Sequence, residues 1–198
     1  MLVIFVFGFL VSLTVDKVSG VKEDYYWRDY DGTIPDDAVV GGQSFGHDIF
    51  IGQAYIRDEG VFPVTINPGV IEVAVPIKGV KRTDKYVKIL CGPPANFEWV
   101  PANVTNLHVV LLNKHAVFGG HEDSKGYVYI GKSTTKGGTQ IGKINAFALG
   151  NAKFFYASKD SENNLSVYDV LCYPDFGQKL DIRETLIPEM TPKDQQNI

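Results

Sequence analysis

The chain repeats itself. Gly41-Gly42-Gln43-Ser44 returns as Gly119-Gly120-His121-Glu122, and Ile49-Phe50-Ile51-Gly52 returns as Val128-Tyr129-Ile130-Gly131. Lys88-Ile89-Leu90-Cys91 returns as Asp169-Val170-Leu171-Cys172, and Trp27 answers Trp99. The copies stand roughly 70–80 residues apart, too far for a solenoid period and long enough for a small half-domain. The spacing widens slightly along the chain, as small loop insertions would make it. Two such units imply one body with pseudo-twofold symmetry and two equivalent sites that are free to diverge.

The two units read as all-β. Residues 71–77 alternate apolar with other side chains, the period of a half-buried strand. Residues 86–91, 109–112, 127–130, 154–157 and 167–173 are short β-branched or aromatic runs, most of them bounded by Gly, Pro, Asn or Asp. Twenty glycines and ten prolines supply many turns. No segment carries a helical period longer than three turns. Short strands at close spacing predict antiparallel sheets in a sandwich- or barrel-like arrangement. The first repeat is expected over residues 21–92 and the second over 93–173. The stiff junction Gly92-Pro93-Pro94-Ala95 implies packed halves. Residues 174–198 have no counterpart in the first repeat, and their polar end is expected to be partly disordered.

Residues 1–20 are expected to be a signal peptide. The run Leu2 to Val11 is almost wholly apolar, Asp16-Lys17 ends it, and Val18 and Gly20 suit a cleavage site. The rival reading, a membrane anchor, needs a longer apolar run. The expected localisation is secreted and extracellular, with no stable membrane span. Two glycosylation acceptor patterns fit export, at Asn103-Val104-Thr105 and Asn164-Leu165-Ser166. Cys91 and Cys172 occupy the same place in the two repeats. They form either one disulfide or two buried thiols at the ends of core strands.

A net charge of −4 argues against a general nucleic-acid or anionic-membrane binder. The basic stretch over 78–88 reads as a solvated strand edge and loop. His47, His108, His115 and His121 lack metal-ligand spacing, and no nucleophile elbow or phosphate loop is present. Neither cysteine has a nearby histidine to make it a nucleophile. No enzyme and no cofactor are implied. The aromatic residues Tyr26, Trp27, Phe97 and Trp99 open the two repeats as paired positions, which suits core packing better than sugar stacking.

The opening of the first repeat is Trp27, then Gly32-Thr33-Ile34-Pro35-Asp36-Asp37-Ala38-Val39-Val40-Gly41-Gly42, then 49–54, closing at 86–90. This resembles the DM-nine repeat family, whose pattern is a Trp, then G-x-I-P-x-x-A-V-x-G-G-x-D, Y-V-G-R-A, P-G-K, G-K-E and Y-E-V-L. The resemblance spans nearly all of residues 25–173. Some members of that family are mannose-binding lectins, others form the amino-terminal part of pore-forming natterin-like proteins, and several are linked to responses to pathogens. The tail over 174–198 is expected to be too short for such a pore-forming domain.

The resemblance implies sugar contacts from the acid after Gly-Gly-x and from the lysine of P-G-K. In the second repeat these positions hold Glu122 and Lys143, and Lys159-Asp160 matches the G-K-E lysine and acid. In the first repeat Ser44 and Thr65 stand there instead, and Val80-Lys81 replaces lysine and acid. The second repeat has in turn lost the G-x-I-P region to Asn106-Leu107-His108-Val109-Val110. Carboxylates at Glu122 and Asp160 would accept hydroxyl protons, and ammonium groups at Lys143 and Lys159 would donate.

The expected partners are therefore glycans, including mannose-containing microbial surfaces, in an innate-immune setting. One surviving site per chain would bind weakly, with valency regained through a homo-oligomer. The competing reading places Glu122 in an exposed hairpin turn and Lys143 on an outward strand face. The sites would then be relics in a secreted structural or toxin-like interaction module.

Overall fold

The computed structural model describes residues 25–174. The expected signal peptide over 1–20 and the tail beyond 174 lie outside the described residues. The elements of the first half are β1 (Tyr26–Asp29), β2 (Val40–Ser44), β3 (His47–Ile56), β4 (Gly60–Ile66), β5 (Val73–Pro76), β6 (Val80–Thr83) and β7 (Val87–Cys91). The second half contributes β8 (Glu98–Asn103), a single helical turn α1 (Leu107–Val110), β9 (His115–Ala116) and β10 (Phe118–Glu122). It continues with β11 (Gly126–Thr135), β12 (Gly138–Asn145), β13 (Lys153–Ser158), β14 (Ser161–Leu165) and β15 (Val167–Tyr173).

The fold is all-β. Thirteen strands form one branched antiparallel sheet, and β5–β6 form a separate hairpin. Its main path runs β1-β7-β3-β4-β10-β11-β12-β13-β14 and ends at β1 and β14. The pairings along it are antiparallel, as anticipated from strand spacing. The repeated landmarks face matched partners. β3 pairs with β2, β4 and β7, and β11 pairs with β10, β12 and β15. Gly52 lies opposite Ile89 and Gly131 opposite Val170; Trp27 lies opposite Leu90 and Trp99 opposite Leu171.

Alternation sends side chains into three clusters. Phe62, Val64 and Ile66 of β4 join Val73, Val75, Ile77 and Ile89 in the first. Ile144, Phe154, Tyr168 and Val170 form another around Leu107. The central cluster draws on both halves: Val39, Ile49, Ile51 and Leu90 meet Val117, Ile130, Ile141 and Leu171. Trp27, Phe97 and Trp99 pack at its edge as expected, but Tyr26, expected to pack with them, is 48% exposed and donates to Asp37 at 2.7 Å.

The halves meet where β10 pairs with β4, through His121 opposite Val61 and Glu122 opposite Gly60. The Gly-Gly landmark explains this contact. Gly120 has φ +147°, and a Cβ there would collide with the Val61 carbonyl oxygen. Gly60 has φ +127°, and its Cβ would collide with the His121 carbonyl oxygen. Only glycine meets both demands, a left-handed backbone and a close approach of two main chains.

One expectation is corrected and one open alternative is resolved. Residues 109–112 do not form a strand. Asn103 and Asn106 bond each other's backbone N–H groups through their side chains at 2.7 and 3.0 Å, and Leu111 N–H closes a helical turn onto Leu107 O at 2.9 Å. Such Asn side chains compete with ladder bonding, and the fully buried Leu107 plugs the turn into the core. Cys91 and Cys172 are not joined by a disulfide. Equivalent places in two units are not adjacent places: Cys91 packs in the first cluster and Cys172 in that around Leu107. Burial pushes the Cys91 thiol up.

Gly120→Ala is expected to destabilise the fold by about 3 kcal/mol or more, combining backbone strain with overpacking. Gly46→Ala, also at positive φ but with nothing within 4 Å of the added methyl, is expected to cost only about 1 kcal/mol. Urea unfolding of the two variants beside the wild type checks the difference.

Candidate functional site

The β4–β10 seam carries Glu122 inward. Glu122 sits opposite Gly60, and the next N–H, of Asp123, donates to Glu59 O at 2.8 Å. Its side chain is only 5% exposed. Lys143 reaches the same point from β12, where it lies between Ile130 and Phe155 in the strand ladder and is 2% exposed. The Lys143 ammonium stands 3.2 Å from Glu122 Oε2 and 3.9 Å from Glu162 Oε1. It also sits over the rings of Phe62 and Phe155, at 4.9 and 5.5 Å from their centroids. Lys125 donates to the other Glu122 oxygen. Both Glu122 and Lys143 are therefore withdrawn from the surface and paired; neither is the solvated turn or outward strand residue of the competing reading.

A second ring of charge surrounds this pair. The β5–β6 turn presents Lys78, which bonds Glu59 at 2.8 Å, and Lys81 reaches the same carboxylate at 3.0 Å. Gly79 N–H donates to Glu162 Oε2 at 2.8 Å. The cluster thus contains Glu59, Glu122 and Glu162 with Lys78, Lys81, Lys125 and Lys143, drawn from both halves of the chain.

The electrostatics follow from burial against partners. Burial pushes the Glu122 carboxyl up, but the hydrogen bonds and charges of Lys125 and Lys143 outweigh it and hold the group below its ordinary value. Burial pushes the Lys143 ammonium down, and Glu122 and Glu162 restore only part of that. Hydrogen bonds from Lys78 and Lys81 lower Glu59.

The structure does not bring the Lys159 and Asp160 side chains into this cluster. Ser158 pairs with Ser161, which makes Lys159 and Asp160 the two turn residues between β13 and β14. Lys159 is exposed with φ +54°, and its carbonyl accepts from Arg82 at 2.9 Å. The Asp160 carboxylate is 91% exposed and pairs with Arg82 at 3.2 Å. The acid that turns inward is Glu162, the second residue of the return strand. Sequence reasoning missed it, along with Glu59, Lys125, Phe62 and Phe155. The available signal was the two-residue turn itself, because strand alternation after it fixes which side chain returns.

The matching positions of the first half hold hydroxyls. Thr65 Oγ1 donates to Ile141 O at 3.2 Å and accepts from Ile141 N–H at 3.0 Å, so it stitches β4 to β12. Ser44 donates to Gly137 O at 3.3 Å. Of the two acceptor asparagines, Asn164 is exposed on the end strand β14. Asn103 is half-buried, and its Oδ1 accepts from the Thr105 hydroxyl at 2.8 Å. Among the described residues no group of three His, Cys, Asp or Glu side chains could hold a metal ion. No helix among them is long and apolar enough to cross a membrane.

Folding stability should carry the signature of Glu122. A carboxyl held low in the folded state contributes stability above its unfolded value, near 4.5, and loses that contribution as pH falls through the folded value. Thermal melts of wild type and Glu122→Gln from neutral to acid pH are expected to show a gap that is widest near neutrality and closes in acid. A gap that does not change with pH would contradict the pairing.

Comparison with known proteins adds a family. The family model described as the DM9 repeat matches residues 43–149, more than half of the chain, in one span from β2 to the loop after β12. No curated protein matches the chain.

Proposed function

Because this chain belongs to the DM9 repeat family, we propose that it is a secreted, non-catalytic carbohydrate-binding protein that takes mannose-type glycans. The observation that carries the reading is the Glu122–Lys143 pair, 3.2 Å apart and flanked by the Phe62 and Phe155 rings. A hexose offers neighbouring hydroxyls that donate and accept together. A carboxylate that accepts beside an ammonium that donates matches that pattern, and a desolvated setting strengthens both contacts. Each charge-assisted hydrogen bond contributes roughly 1.5–3 kcal/mol. Glu162 stands on the rim of the pair, 3.9 Å from the Lys143 ammonium.

With Ser44 and Thr65 at the matching positions of the first half, the chain offers one charged site. Such a site binds weakly, and tight capture of a microbial surface would come from a homo-oligomer. Asn164, exposed on β14, suits a glycosylated exported chain. The other reading, a secreted protein-interaction module with relic sugar sites, draws on the exposed rings of Phe118 and Tyr127, 4.9 Å apart on the outer face of β10–β11.

Mannan binding by wild type, Lys143→Met and Glu122→Gln decides between them. Met keeps the packing between the two rings. Both variants are expected to lose at least about tenfold in affinity, the equivalent of about 1.4 kcal/mol, with near-ultraviolet circular dichroism unchanged. Equal binding by all three proteins would move the site elsewhere. No binding by any of them would favour a protein partner.

A further inference from the structure

We infer that Glu162 latches the site shut in the free protein, and that a bound glycan takes the latch's place on two donors, the Lys143 ammonium and the Gly79 backbone N–H. The inference rests on the carbohydrate-binding reading and specifies how that site is gated. Its starting point is a conflict between chemistry and access. Glu122 and Lys143 have the right groups for a diol, yet they are 5% and 2% exposed. No sugar ring can lie against both while their present cover stays in place.

The cover has a definite structure. Glu162 spans it with two oxygens: Oε1 lies 3.9 Å from Lys143 Nζ, and Oε2 accepts from Gly79 N–H at 2.8 Å. One carboxylate thus presents two adjacent oxygens to one ammonium and one amide, as two neighbouring hydroxyls of a hexose would. At 3.9 Å the contact with Lys143 is an ion pair rather than a hydrogen bond, so this ammonium has donor capacity that Glu162 does not use. Lys143 needs that second partner because Lys125 already competes for Glu122.

The latch is also the part best able to move. Glu162 stands on β14, at the end of the sheet path, and its side chain is 19% exposed, so a change of rotamer is its route into solvent. The β5–β6 hairpin pairs only with itself. Val73, Val75 and Ile77 anchor it in the first core cluster, but its tip, Lys78-Gly79, is exposed and turns through two positive φ values. Rotation of Glu162 into solvent would free one face of Lys143 and expose an unpartnered Gly79 N–H. The latch therefore costs affinity, because only the open fraction of molecules is competent to bind.

The test compares wild type, Glu162→Ala, Glu162→Gln and Lys143→Met in binding to mannan and to methyl α-mannoside, together with amide exchange at Gly79. Glu162→Ala is expected to bind about tenfold more tightly than wild type, to exchange the Gly79 amide faster without ligand, and to regain protection there with ligand. Glu162→Gln keeps an acceptor for Gly79 but loses the charge on Lys143, so it should fall between. If Glu162→Ala binds no better than wild type while Lys143→Met loses binding, Glu162 is not a latch and the carbohydrate reading stands. If neither wild type nor Glu162→Ala binds either probe, the carbohydrate reading fails and takes the latch with it.

Discussion

Two main chains passing unusually close, β10 over β4, hold this molecule together. Gly60 and Gly120 each leave room for the other strand's carbonyl oxygen, and both adopt backbone angles that other residues reach only with strain. The contact has few ladder pairs, but it fixes everything around it. It closes the central cluster, where Ile51 and Leu90 of one half meet Ile130 and Leu171 of the other. Burial of such side chains contributes roughly 1.5–3 kcal/mol each, so neither half is expected to keep its stability alone. It also pulls Glu122 out of a hairpin end and into contact with Lys143. Packing and site therefore depend on the same few atoms.

The charged cluster is a costly way to fill this part of the fold. Withdrawing an ammonium and a carboxylate from water is costly, and an apolar pair of similar volume would often serve the fold as well or better. Around Lys143 the surroundings are already apolar: Phe62 is fully buried, and Phe155 flanks the other side. The matching position in the first half shows the inexpensive solution, Thr65 bridging two strands with a hydroxyl. One half thus keeps charge where the other keeps a hydroxyl.

Much of this was legible in the residues. The doubled landmarks, the strand runs and the inert placement of both tryptophans all followed from alternation and turn chemistry. Glu122 and Lys143 were found through the family pattern, and the structure brings them together. What failed did so because it depended on register or on side-chain competition. Lys159-Asp160 matched a motif, but a two-residue turn points those side chains away and returns Glu162. Residues 109–112 have strand-forming composition, but Asn103 and Asn106 capture the backbone first. The two cysteines match in sequence, and that very equivalence sends them into separate cores.

Those separated thiols have a consequence for how the chain reaches its native state. With Cys91 and Cys172 each packed inside its own cluster, no covalent cross-link fixes the topology, and no oxidant or thiol exchange is needed at any step. Pairing the two sulfurs would require drawing each out of the cluster in which it is buried. A reducing cytosol is then a permissive place to produce this protein, whatever compartment it finally serves.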